Sequence, residues 1–84
     1  MELRMLFFAA LRERVGARDA VWEVADGMDV AGLRQEVVRR HPAAEGLVRR
    51  SSVAVNAEYA LDSVVLCPGD EVALLPPVSG GVAP

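Results

Sequence analysis

The chain has 84 residues, 52% of them hydrophobic, with nine basic and twelve acidic residues and a net charge of −3. That length makes one small domain, which buries roughly 60–65% of the surface its unfolded chain exposes, and the mild acidity argues against nucleic acid as a partner. The single cysteine, Cys67, excludes an internal disulfide and a cysteine-rich metal site; with no apolar run near 18 residues and no basic start before an apolar block, the expectation is a soluble cytoplasmic chain with an unprocessed N-terminus and no membrane partner.

Glu2 to Phe8 alternates in two apolar sets, Leu3/Met5/Phe7 and Leu6/Phe8, so it reads as a strand. One set faces a core. The other leaves Leu6 and Phe8 on a far face more apolar than a solvated surface needs, which is either covered by a second layer or loop or forms a partner-binding patch. Ala9 to Val15 allows a short helix, with Leu11 and Val15 on one face and Gly16 as its C-terminal stop. Arg18 to Val24 returns as a strand, and Trp22 is expected to pack over the sheet. Asp26-Gly27 is a turn signal, and Asp29 is a good N-cap for a helix from Val30 to His41. Val30, Leu33, Val37 and Val38 share one face of that helix, and Glu36 with Arg40 forms a favourable i,i+4 pair. Gly32 weakens it by about 1 kcal/mol relative to alanine unless something packs closely there. Pro42 ends it. His41, with no second histidine, cysteine or acid at ligand spacing, reads as a solvated helix end.

Ala43 to Arg50 reads as a polar connector with at most one helical turn. Ser51 to Val55 is a third strand, Asn56-Ala57 a tight turn, and Glu58-Tyr59-Ala60 a short partner strand. Asp62 to Cys67 is loop, Cys67 has no candidate base beside it and reads as a small apolar residue, and Pro68-Gly69 turns into a last strand, Asp70 to Leu75. The arginines at 12/14/18, 39/40 and 49/50 are most simply solvated faces, with a basic rim for a partner or an ATP-using enzyme as the alternative. The expected core is Leu3, Met5, Phe7, Val37, Val55, Val72 and Leu74.

The element order is strand, short helix, strand, long helix, strand, short strand, strand. It fits an α+β fold, a mixed sheet of four to five strands with one long helix across its face, the ubiquitin-like β-grasp. Residues 1–75 form the domain and residues 76–84 a C-terminal tail. In that tail Pro76-Pro77 makes a stiff, extended exit, whereas Ser79-Gly80-Gly81 can bury nothing and adopts almost any backbone angle. Extended, Pro76 to Gly81 spans about 20 Å, enough to carry its end into a partner's active site; a frayed terminus is the alternative. The chain shows no nucleophile with its base, no acid pair, no phosphate-binding glycine loop and no metal cluster. It therefore has no active site of its own, and any chemistry belongs to its tail, with another protein supplying catalysis.

The sequence resembles the small, sulfur-carrier subunit of molybdopterin synthase (MoaD), of the ubiquitin-like, ThiS-like family. The resemblance covers nearly the whole chain. It rests on Leu6-Phe7-Phe8-Ala9 followed by Leu11-Arg12-Glu13, on Val53-Ala54-Val55-Asn56, and above all on Gly69-Asp70-Glu71-Val72-Ala73 leading into Leu75-Pro76-Pro77-Val78-Ser79-Gly80-Gly81. It implies that Gly81, preceded by the slim Gly80, is activated as an acyl-adenylate by an E1-like, MoeB-like enzyme using ATP and then becomes a thiocarboxylate. It further implies a non-catalytic small subunit, with no cofactor or metal of its own, whose tail enters a MoaE-like large synthase subunit. There it donates sulfur to a pyranopterin precursor. Phe8 and Leu75 match positions that face that subunit, and Pro76, Pro77 and Val78 lead the tail into it. One departure is that Val82-Ala83-Pro84 follow the glycines, so the reactive carboxyl is locked in a peptide bond; a trimming protease, a fragment of a fused gene and lost activity compete to explain it, and trimming is the favoured reading. The alternatives are a sulfur carrier for thiamine or tRNA thiolation, a ubiquitin-like modifier attached to lysines of its targets, and a non-catalytic interaction module. Because all nine basic residues are arginines, such a modifier could not build lysine-linked chains of itself.

Overall fold

The computed structural model describes residues 1–77. Its elements run β1 (Glu2–Phe7), α1 (Ala10–Val15), β2 (Asp19–Glu23), α2 (Val30–Arg40), a 3₁₀ turn (Pro42–Ala44), α3 (Glu45–Arg50), β3 (Ser52–Val55), β4 (Glu58–Tyr59) and β5 (Glu71–Leu75). The five strands form one mixed sheet in the order β2-β1-β5-β3-β4. β1 is antiparallel to β2 and parallel to β5, while β3 is antiparallel to both β5 and β4. This is the expected α+β β-grasp, and α2 is its one long helix. None of the described helices is long and apolar enough to cross a membrane.

The alternation of β1 sorts its side chains. Leu3, Met5 and Phe7 are buried with Val72 and Leu74 of β5, Val53 of β3, and Val30, Leu33 and Val37 of α2. The core expectation holds at every position but one: Val55 is only partly buried and packs against the core from its edge. Trp22 is buried as expected, with its ring centroid 5.8 Å from that of Phe7.

Helix α2 starts where the sequence says. The Asp29 carboxylate accepts a hydrogen bond of 2.7 Å from the Gly32 amide, satisfying one donor of the first turn. Gly32 also has close neighbours: a Cβ there would lie 3.1 Å from Met28 Cγ and 3.2 Å from the capping Asp29 oxygen. At the other end, His41 is half-buried and stacks on Trp22 at 6.3 Å between centroids, so it is a packed helix end rather than a solvated one.

The segment expected to be a polar connector is helical for most of its length. Ala44 and Val48, four residues apart, are both buried, and Leu47 is partly buried beside them; one apolar stripe is enough to fold the turn and α3 onto the core. Cys67 is exposed rather than packed as a small apolar residue. Its amide donates to the Asp70 carboxylate at 2.8 Å within the tight turn before β5, which holds it at the surface.

Candidate functional site: the outer sheet face and the root of the tail

The side chains of β1 that do not enter the core lie on the opposite face of the sheet. A row crosses all five strands there, Asp19–Leu6–Ala73–Ala54–Tyr59, each residue directly opposite the next. Its ends are larger and its middle is two alanines, so the face sinks between Leu6 and Tyr59. The result is a shallow depression of ≈ 290 Å³, walled by Phe8 and Leu75 at one end and by Glu71 at the other. Phe8 is 38% exposed and Tyr59 77% exposed, values at which aromatic rings lie open to a partner. An apolar hollow flanked by aromatic rings is the form a protein-binding hot spot takes.

Parallel pairing of β1 with β5 brings the expected site residues together. Phe7 lies opposite Leu74, so the next residues, Phe8 and Leu75, emerge side by side at one end of the sheet. Leu75 is also opposite Ser52 of β3. Pro76 is half-buried and Pro77 exposed as the chain leaves the sheet at that same end. Phe8, Leu75, Pro76 and Pro77 thus form a continuous path from the hollow to the root of the tail. Val78, Gly80 and Gly81, the remaining expected site residues, lie outside the described residues.

Two features of this face were not anticipated. Tyr59 forms one wall of the hollow, although its short strand gave no sign of which face it serves. Ala9, immediately after Phe8, has φ 52° and ψ −129°, in a turn closed by the Leu11 amide donating to the Phe8 carbonyl at 3.1 Å. Alanine is a poor choice for such a conformation, and nothing in the sequence marks it.

A family model described as the ThiS family matches residues 5–81. The chain belongs to the ThiS family. The match spans the domain and the tail through Gly81, leaving Val82-Ala83-Pro84 beyond it. The chain is 36% identical over 83 residues to the molybdopterin synthase sulfur carrier subunit of Chlamydomonas reinhardtii, covering 96% of this chain and 100% of that protein. It is 37% identical over 83 residues to the molybdopterin synthase sulfur carrier subunit of Mycobacterium tuberculosis, covering 96% and 99%. Among solved structures, small archaeal modifier protein 1 (SAMP1) of Haloferax volcanii superposes with a TM-score of 0.84 at 32% identity, over 96% of this chain and 100% of that one. The β-grasp architecture of the sheet is therefore matched among solved structures.

Proposed function

We propose that this ThiS-family chain is the sulfur carrier of molybdenum cofactor biosynthesis, acting in the cytoplasm as the small subunit of a molybdopterin synthase. The observation that carries the reading is the family match running through Gly81, on a domain whose apolar hollow, Phe8 and Leu75 lead directly to the tail root. A carboxylate is a poor electrophile until one of its oxygens becomes part of a good leaving group. An E1-like, MoeB-like enzyme supplies that by joining the Gly81 carboxylate to the AMP portion of ATP, with release of pyrophosphate. A sulfur nucleophile then displaces AMP, and the tail carries a thiocarboxylate whose sulfur attacks better than the oxygen it replaced. In this reading the MoaE-like large subunit holds the hollow, takes the tail past Pro76, Pro77 and Val78 into its active site, and directs the sulfur to a pyranopterin precursor. The glycines at 80 and 81 place no Cβ in the way. ATP belongs to the activating enzyme, and the carrier binds no cofactor.

In the 84-residue sequence Gly81 is joined to Val82, so a protease that cleaves this bond precedes activation. The test compares a chain ending at Gly81 with one continuing to Pro84, each mixed with the activating enzyme, ATP and a sulfur source, and followed by intact mass. The Gly81-ending form is expected to gain the mass of an oxygen-to-sulfur exchange and the longer form to stay unchanged. A thiolated longer form, or a Gly81-ending form that never reacts with an enzyme shown to be active, overturns the reading. The likeness to SAMP1 supports a second reading, a protein modifier joined through Gly81 to lysines of other proteins. Lysine-linked Gly-Gly remnants on host proteins distinguish it.

A further inference from the structure

The arginines that are scattered along the sequence are gathered by the fold. β1 and β5 both run toward the end where the tail leaves, and β2 and β3 both start there. The segments joining those strands at this end are α1 with Arg18, and α3. Five of the nine arginines lie on them: Arg12, Arg14, Arg18, Arg49 and Arg50, all exposed. Only three of the twelve carboxylates, Glu13, Asp19 and Glu45, share that end. The opposite end carries Glu2, Glu23, Asp26, Glu58, Asp70 and Glu71. A chain of net charge −3 is thus polarised, positive around the tail root and negative away from it.

The arginines elsewhere are largely engaged within the molecule: Arg34 with Asp62, and Arg39 and Arg40 with Glu36. At the tail root, Arg49 pairs with Glu45, and Arg14 and Arg50 each donate to a backbone carbonyl at 3.1 Å, which leaves their charge uncompensated. The guanidinium groups of Arg12 and Arg18 make no hydrogen bond or ion pair with any described residue.

We infer that this basic collar is the docking surface for an acidic rim on the enzyme that activates the tail. The inference rests on the proposed carrier function and names the chemistry of that partner. A protein that takes Gly81 into its active site must close around Pro76 and Pro77, so it meets the end of the domain that carries the arginines. Six residues from Pro76 to Gly81 can span up to about 20 Å, which gives a partner room to hold the collar at its mouth and the reacting carboxyl deeper within. The collar therefore matches the mouth of the site, not the ATP phosphates. It also suits an encounter that must be fast and reversible: rim charges govern association and its salt dependence, whereas buried apolar anchors govern persistence. The hollow beside Phe8 serves the longer-lived complex and the collar the transient one.

The test uses the Gly81-ending chain and its activating enzyme, with adenylation read as ATP–pyrophosphate exchange at varied carrier concentration and ionic strength. The variant Arg12→Gln/Arg18→Gln/Arg50→Gln is expected to raise the KM for carrier about tenfold at low salt, with kcat unchanged. The deficit should shrink at high salt, as screening removes the advantage of the native chain. The variant Glu2→Gln/Glu58→Gln, which changes charge at the far end, should leave KM unaltered. Thermal melts verify that both variants are folded. A native chain that is adenylated, with collar variants of equal KM and equal salt dependence, overturns the collar and spares the carrier reading. If the far-end variant lowers KM as much as the collar variant raises it, overall charge is responsible and the collar is again overturned. A native chain that is never adenylated by an active enzyme overturns both.

Discussion

The guanidinium carbon of Arg40 lies 4.0 Å from the ring centroid of Trp22. The same side chain donates to the Glu36 carboxylate at 2.7 Å and to the Glu23 carbonyl at 3.0 Å. Arg40 thereby fastens the C-terminal turn of α2 to the outer strand β2, on the side of the sheet opposite the hollow. It also occupies one of the carbonyls that an edge strand would otherwise present to another chain. The helix, the edge strand and the half-buried His41 ring are held as one unit.

Replacing Arg40 with Ala should destabilise the domain by about 1–2 kcal/mol, from the lost cation–π contact and the packing of its aliphatic stem on Trp22. Urea unfolding should show a lower midpoint at an unchanged m-value. The emission of Trp22, the only tryptophan, should shift as its ring becomes more exposed. An unchanged midpoint would mean that Arg40 is held by the fold and does not hold it.

The Glu36 carboxyl gives a pH prediction. Hydrogen bonds from Arg39 and Arg40 lower its pKa from 4.5 to about 2. In the unfolded chain those partners are absent, so between these values the unfolded state binds the proton and the folded state does not. Stability from this group is therefore fully present above the unfolded value and is lost as pH falls through the window toward 2. Glu36→Gln should melt below the native chain at neutral pH, and the two melting curves should converge as pH is lowered across that range. A gap that persists below pH 2 would assign the effect to packing instead of charge.

Much of this was legible in the sequence because local and global signals agreed. The two-residue period of β1, the Asp29 cap, the stop at Gly16 and the turns at Asn56-Ala57 and Pro68-Gly69 each marked an element, and their order fitted a mixed sheet crossed by one long helix. The helical character of Ala43 to Arg50 was missed because its apolar stripe is only Ala44, Leu47 and Val48, interrupted by Gly46 and preceded by Pro42. Leu66, fully within the loop before β5, is buried, yet a single leucine among exposed neighbours has no period to betray it. For the site, the apolar parity of Leu6 and Phe8 was visible; Tyr59 and the alanine floor were not, since they reach that face only through strand register.

The turn between β3 and β4 supplies a stability prediction. Asn56 and Ala57 have φ of 51° and 71°, the paired left-handed conformation of a tight hairpin turn, for which Asn-Gly is preferred. Asn56 suits its place. Its side chain donates to Asp70 at 2.9 Å and accepts from the Glu71 amide at 3.0 Å, tying the turn to the start of β5. Ala57 gains nothing in return for a conformation that costs an L-residue 1–2 kcal/mol. Ala57→Gly should stabilise the domain by about 1 kcal/mol, less the entropy glycine adds to the unfolded chain. A lower melting temperature in this variant would show that the Ala57 methyl is packed.

The assignment of the two faces is tested most directly at Phe7 and Phe8. Phe7 is 1% exposed in the core and Phe8 is 38% exposed beside the hollow. Phe8→Asp should leave the circular dichroism spectrum native and lower stability by no more than about 2 kcal/mol, since the ring is only partly buried. On the proposed carrier reading, it should weaken the complex with a MoaE-like large subunit by at least about 2 kcal/mol, roughly 30-fold in Kd, as truncation of a central aromatic anchor does. Calorimetric titration of the separately purified subunits measures it. Leu75→Ala, on the neighbouring strand, should weaken the same complex by a smaller amount. Phe7→Asp places a charge in the core and should abolish folding. Should Phe8→Asp unfold the domain while any folded fraction binds with native affinity, the outer face is structural and the partner sits elsewhere.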